Sequence, residues 1–227
     1  MISLTIDGHK VEALEGSSIL EASREHGIEI PTLCYHEALE PYGSCRLCVV
    51  ELETPRGPRL VASCVYPAEH GAAVKTNSEM VQASRRMTAE LLLAAAPQAR
   101  AIQQLASSMG VQEPRISLSD SNCILCGLCV RACREIVGAN AISLVNRGFS
   151  KEVSPPFEIG SNACLGCTTC VFICPTGAIK LEDVLANRSV HRWESDFQAT
   201  ACRICGDHHL APEFAVSVED VLSEKGA

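Results

Sequence analysis

The 227-residue chain carries 14 cysteines, only 4% aromatic residues and a formal charge of −8. So few aromatics exclude a conventional aromatic-rich core. The negative charge, with no Lys/Arg block anywhere, argues against a nucleic-acid partner. No apolar run approaches the roughly 18 residues of a bilayer span; Leu91 to Ala96 is cut by Pro97. The N-terminus runs straight into Ile2-Ser-Leu-Thr-Ile6 without a signal-peptide pattern. A cytoplasmic location is therefore expected, and metal binding rather than a disulfide framework explains the cysteines.

Residues 1–78 read as a compact β-rich domain. Leu4-Thr-Ile6 alternates, Asp7-Gly8 makes a tight hairpin turn, and His9 to Ala13 returns. Ser18 and Glu21 form a capping-box pattern for a helix with Ile19, Leu20, Ala22 and Ile28 on its apolar side, and Gly27 suits its end. A loop with Cys34, Gly43, Cys45 and Cys48 leads to expected strands at Val49–Leu52, Val61–Cys64 and Ala73–Thr76. The cysteines are spaced C-x10-C-x2-C-x15-C, unlike the plant-type ferredoxin run.

Pro31-Thr-Leu-Cys34-Tyr-His36, Gly43-Ser-Cys45-Arg-Leu-Cys48 and Val61-Ala-Ser-Cys64 closely resemble the N-terminal domain of the iron–sulfur subunit of respiratory complex I. The same domain occurs in the small diaphorase subunit of NAD-reducing hydrogenases and in NAD-linked formate dehydrogenases. The resemblance implies a β-grasp ferredoxin fold and a [2Fe–2S] cluster on Cys34, Cys45, Cys48 and Cys64. The chemistry agrees, because such a cluster needs four thiolates, and a glycine at Gly43 lets backbone amides approach the sulfurs. With four cysteines present His36 is not needed as a ligand. His9, His26, His70 and His191 have no metal spacing.

Residues 79–112 are expected to be a helical connector. Thr76 with Glu79 reads as a capping box, and Met80, Ala83, Met87, Leu91 and Ala94 recur at helical period as its buried face. Arg85-Arg86 reads as a solvated basic pair or a partner contact. Pro97 ends this helix, and a second one with Ile102, Leu105, Ala106 and Met109 ends at Gly110. In complex I the equivalent stretch resembles H-x3-C-x2-C-x5-C and binds a further [4Fe–4S] cluster. Here Ala94-Ala-Ala-Pro-Gln-Ala-Arg100 offers neither cysteine nor histidine, so that cluster is expected to be absent.

Residues 113–186 hold two C-x2-C-x2-C-x3-C runs, Cys123/Cys126/Cys129/Cys133 and Cys164/Cys167/Cys170/Cys174, the second followed by Pro175. This is the bacterial-ferredoxin pattern for [4Fe–4S] clusters, in which the fourth cysteine serves the other cluster. Cluster A is therefore assigned to Cys123, Cys126, Cys129 and Cys174, and cluster B to Cys164, Cys167, Cys170 and Cys133. The runs repeat with a period of 41 residues, Cys123 onto Cys164, and Ala141-Ile142 answers Ala178-Ile179 with four extra residues in the first half. Gly127, Gly166 and Gly177 permit close backbone approach to the sulfurs. A double-cluster ferredoxin domain of two similar halves is expected.

The tail, residues 187–227, carries Cys202-Arg-Ile-Cys205 followed by His208 and His209. The knuckle is half of a zinc or rubredoxin-like site. It could be completed by His208 or His209, shared with a partner chain, or be a vestige.

No nucleotide-binding glycine motif and no nucleophile pair stand apart from these cysteines. The expected architecture is α+β: a β-grasp [2Fe–2S] domain, a helical connector, a two-cluster domain and a small tail. The expected function is one-electron transfer through one [2Fe–2S] and two [4Fe–4S] clusters. Its expected partners are a flavin-bearing, NAD(P)-binding subunit and a catalytic subunit such as a hydrogenase or formate dehydrogenase. A stand-alone multi-cluster ferredoxin is the alternative.

Overall fold

The computed structural model describes residues 1–118, 121–155, 163–164 and 166–180. They fall into two compact units, one of residues 1–36 and 41–126 and one of residues 37–40 and 127 onward.

In the first unit β1 (Ile2–Ile6) and β2 (His9–Ala13) pair antiparallel about Asp7 and Gly8, whose φ angles are 50° and 85°. Leu4, Ile6, Val11 and Ala13 alternate into the core, as a half-buried strand pair requires. Ser18 starts α1 (Ile19–Glu25). Its hydroxyl accepts the Glu21 amide at 3.2 Å, and the Glu21 carboxylate accepts the Ser18 amide at 2.7 Å. This is the expected capping box, whose loss typically costs about 1 kcal/mol.

Then β3 (Val49–Leu52), β4 (Arg59–Ala62) and β5 (Ala73–Lys75) complete a five-stranded sheet in the order β2-β1-β5-β3-β4. Only the β1–β5 pairing is parallel. That order is the β-grasp. Ile19 and Leu20 of α1 lie fully buried with Leu4, Ile6 and Val50, each worth about 1.5–3 kcal/mol of apolar burial. β4 stops at Ala62, so Cys64 sits just past a strand end rather than within it.

The connector is two helices, α2 (Glu79–Ala95) and α3 (Arg100–Ser108), but two expectations about it need correction. Ser78, not Thr76, caps α2, taking the Val81 amide at 3.3 Å. Thr76 is turned to Asp7 instead, donating its amide at 2.7 Å and its hydroxyl at 2.5 Å to that carboxylate.

The buried face of α2 is also rotated. Met80, Met87 and Leu91 are 41%, 48% and 44% exposed, and Ala83 is exposed too, while Val81, Arg85, Ala89 and Leu93 are buried. Both rows obey the helical period. The rotation that buries Arg85 lets its guanidinium reach the carbonyls of Leu47 and Val49, at 3.1 and 2.8 Å. Arg85 is thus no solvated partner of the exposed Arg86.

Below this, α2 and α3 close on an apolar cluster of Ala89, Leu93, Ala96, Ala99, Ile102, Ala106 and Val111. The alanine-rich turn is therefore a packed core in its own right.

In the second unit α4 (Leu128–Arg131) runs into a π-helical turn, Ala132–Val137, that stops at Gly138 with φ 77°. This turn and the residues after it take up the four extra residues between Cys133 and Ala141. An antiparallel hairpin, β6 (Ser143–Val145) and β7 (Glu152–Ser154), follows, and α5 (Thr169–Phe172) carries Cys170, the third cysteine of the second run. Residues 37–40 belong to this unit through Glu40. Its carbonyl accepts from the buried Arg131 guanidinium, and its amide donates to Glu135 at 3.0 Å. Among the described residues no helix is long and apolar enough to cross a membrane.

Candidate iron–sulfur sites

Four cysteines meet in the first unit. Cys34 follows the turn after α1, Cys45 and Cys48 lie on the loop feeding β3, and Cys64 follows β4. All four are buried, and none of the described cysteines forms a disulfide. The sulfurs stand in two pairs. The Cys45 amide donates to Cys34 Sγ at 3.4 Å, and the two thiols of that pair are also hydrogen-bonded. Cys48 Sγ and Cys64 Sγ are 3.3 Å apart.

The hydrogen bond with Cys34 pulls Cys45 down to about 6, and that with Cys64 does the same for Cys48. The partner thiols, Cys34 and Cys64, are pushed up by the bond itself and then by burial. Cys64 also lies within electrostatic reach of the three other cysteines. Two pairs of cysteine sulfurs within electrostatic reach of each other suit a dinuclear centre with two sulfurs to each iron.

The loop curls through left-handed conformations at Gly43 and Arg46, φ 66° and 58°. A Cβ on Gly43 would only touch the Val65 methyls, at 3.4 and 3.5 Å, so it is the left-handed φ, not lack of space, that strains any other residue there. His36 is exposed beside this site.

Cys123 and Cys126 also belong to the first unit. The Leu125 amide donates to Cys123 Sγ at 3.4 Å, and Ile124 packs on the α2–α3 cluster. Ser44, next to Cys45, donates its hydroxyl to the Leu125 carbonyl at 3.4 Å. The first two cysteines of the double-cluster run are therefore built onto the [2Fe–2S]-type loop.

In the second unit Cys133 lies within electrostatic reach of Cys164 and Cys167, and Cys170 within reach of Cys167, Cys164 and Cys133. The last cysteine of the first run thus gathers with the first three of the second. Burial is the main cause that raises Cys133, and it pushes Cys170 up to about 11. Burial acts the same way on Cys174, but hydrogen bonds from the Thr176 side chain and nearby amides outweigh it and lower that thiol.

The pseudo-equivalent alanines do the same work in each half: the Ala141 amide donates to Cys133 Sγ and the Ala178 amide to Cys174 Sγ, both at 3.3 Å. Such N–H···S bonds favour the thiolate and tune a cluster's potential. The tail cysteines Cys202 and Cys205, with His208 and His209, lie outside the described residues, as does His191.

The repeat is also written in the backbone. Leu125 and Gly166 hold φ of 53° and 64°, and Gly127 and Thr168 hold 73° and 58°. The two halves need left-handed residues at matching places but spend glycine at opposite ones. A β-branched residue in this region is strained. Gly127→Thr is expected to cost about 1–2 kcal/mol, while Thr168→Gly should cost nothing. Thermal melts of the cluster-loaded chain check this; equal losses in both variants would mean that side-chain packing, not backbone conformation, governs these positions.

Among known families, residues 1–79 match the 2Fe-2S iron-sulfur cluster binding domain and residues 122–178 match the 4Fe-4S dicluster domain. The geometry and these matches together define an iron–sulfur electron-transfer protein.

A chain in the crystal structure of an NAD+-reducing [NiFe]-hydrogenase in its H2-reduced state superposes with a TM-score of 0.67. It is 30% identical, and the match covers 78% of this chain and 86% of that one. The NADP-reducing hydrogenase subunit HndD of Solidesulfovibrio fructosivorans is 38% identical over 79% of this chain and 36% of the relative. The mitochondrial NADH-ubiquinone oxidoreductase 78 kDa subunit of Neurospora crassa is 32% identical over 78% of this chain and 27% of the relative. The chain thus spans about a third of the length of these curated relatives. It belongs to the family of iron–sulfur subunits that the hydrogenase chain represents.

Arg85 and Ser44 were missed as site residues by sequence reasoning. Nothing in an Arg-Arg pair on a helix or a serine in a loop marks either one; both roles arise from tertiary contacts.

Proposed function

We propose that the chain relays single electrons through three centres: a [2Fe–2S] cluster on Cys34, Cys45, Cys48 and Cys64, and two [4Fe–4S] clusters with crossed ligands. Cluster A takes Cys123, Cys126, Cys129 and Cys174; cluster B takes Cys164, Cys167, Cys170 and Cys133. Residues 1–78, 79–112 and 113–186 would be the [2Fe–2S] domain, the connector and the two-cluster domain. The relay runs between a flavin-bearing, NAD(P)-binding subunit and a catalytic oxidoreductase subunit in the cytoplasm, a hydrogenase or formate dehydrogenase being the leading classes.

The observation that carries this reading is the gathering of Cys34, Cys45, Cys48 and Cys64 in one buried group and of Cys133 with Cys164, Cys167 and Cys170 in another, half-buried one. The Ser44–Leu125 hydrogen bond supports an electron path from the [2Fe–2S] loop to the loop of Cys123 and Cys126. The similar proteins are subunits by name, which favours a subunit over a diffusible carrier.

Anaerobic gel filtration of native extract tests the assignment. Co-elution with flavin and with NAD(P)-dependent reductase activity is expected. Elution as a free species of 24.3 kDa with full cluster content would sink the subunit reading and leave a stand-alone ferredoxin.

A further inference from the structure

We propose that Arg85 is the buried counter-cation of the [2Fe–2S] site, raising the cluster's reduction potential while it fixes the loop that carries Cys48. The inference rests on the assignment of Cys34, Cys45, Cys48 and Cys64 to that cluster.

Arg85 is only 9% exposed, deep on the inner face of α2. Its Nε donates to the Leu47 carbonyl at 3.1 Å and its Nη2 to the Val49 carbonyl at 2.8 Å. These carbonyls belong to the two residues that flank Cys48, so one guanidinium grips the loop on both sides of a ligand. Burial works against the charged form of Arg85. The charge that most favours it is Cys48, ahead of Asp7. Asp7 already accepts two hydrogen bonds from Thr76. The carboxylate of buried Glu51 is likewise engaged, by Ser78 at 2.5 Å and Lys75 at 3.7 Å.

Two neutral carbonyls could be held by a neutral donor. A full positive charge taken out of water is costly unless a negative charge faces it. The negative charge that acts on it most strongly is Cys48, one of the four thiolates of the site. Reduction of the cluster by one electron adds one negative charge to an already anionic tetrathiolate unit. A fixed cation nearby stabilises the reduced form more than the oxidised one, and the low local dielectric strengthens the effect. Arg85 therefore shifts the cluster toward easier reduction. Because the residue stands on α2, the connector helix and the cluster loop are tied together through the same group.

The test is an EPR-monitored redox titration of the full chain loaded with its clusters, with dithionite as reductant. Arg85→Gln and Arg85→Met remove the charge, while Arg85→Lys keeps it and loses the forked geometry. In both neutral variants the one-electron equilibrium of the [2Fe–2S] centre should shift at least tenfold toward the oxidised form, about 59 mV lower in potential. In Arg85→Lys it should stay within that interval, and the [4Fe–4S] potentials should not move in any variant. Glutamine retains a side-chain donor, so the series gives a reading even where methionine does not hold the cluster.

An unchanged potential in a neutral variant, or a lysine variant that falls as far as the neutral ones, overturns the proposal. Absence of any [2Fe–2S] signal in the unaltered protein would instead overturn the cluster assignment, which keeps the two failures distinct.

Discussion

Cys133→Ser is expected to remove cluster B and leave cluster A. Cys133 sits in the first cysteine run, so a reading in which each run holds its own cluster predicts the opposite loss. The structure gathers Cys133 with Cys164, Cys167 and Cys170, and the Ala141 amide fixes its sulfur at 3.3 Å. Serine offers a poorer and more basic ligand. The variant should lose about four iron atoms per chain. EPR of the reduced protein should lose one [4Fe–4S] signal and its magnetic coupling to the other, with the [2Fe–2S] signal intact. The reciprocal change, Cys174→Ser, should remove cluster A. If Cys133→Ser and Cys129→Ser delete the same cluster, the crossed arrangement is wrong.

The second large effect lies far from any sulfur. Ile102→Ala should destabilise the first unit by about 2–4 kcal/mol. Ile102 is fully buried at the centre of the α2–α3 cluster, among Ala89, Leu93, Ala96, Ala99 and Ala106. Alanine neighbours have little side chain with which to fill the space an isoleucine leaves, so the cavity persists and its full cost is felt. Urea unfolding at unchanged m-value gives the number. Leu105→Ala, on a half-buried position one turn on, should cost markedly less. Equal and small losses would mean that the connector is not a packed element and that α3 contributes little.

How much of this was legible in the sequence follows from the range of each interaction. Ser18 with Glu21, Asp7 with Gly8 and Gly27 after α1 act within a few residues, and each appears where local chemistry placed it. The same holds for the repeat: a period of 41 residues in the cysteines reappears as paired left-handed residues and paired Ala N–H···S bonds.

The orientation of α2 was not legible. Met80, Met87 and Leu91 make a better apolar stripe than Val81, Arg85 and Ala89 on composition alone. The burial of Arg85 is a tertiary event, set by two carbonyls nearly forty residues away in the chain. A capping motif read at Thr76 failed for a similar reason: Asp7, distant in sequence, claims that side chain.

The exposed stripe of Met80, Ala83, Met87 and Leu91 is the other side of the same outcome. It leaves methionine and leucine at the surface of a helix whose inner face is committed to the cluster loop.

The most direct test of the relay is the metal and sulfide content of the anaerobically purified full chain, read together with EPR of the reduced protein. One [2Fe–2S] and two [4Fe–4S] clusters predict about ten iron atoms and as many acid-labile sulfides per chain, with one [2Fe–2S] and two interacting [4Fe–4S] signals. A colourless protein with zinc and no sulfide would contradict electron transfer altogether, and an iron count near fourteen would contradict the three-cluster relay.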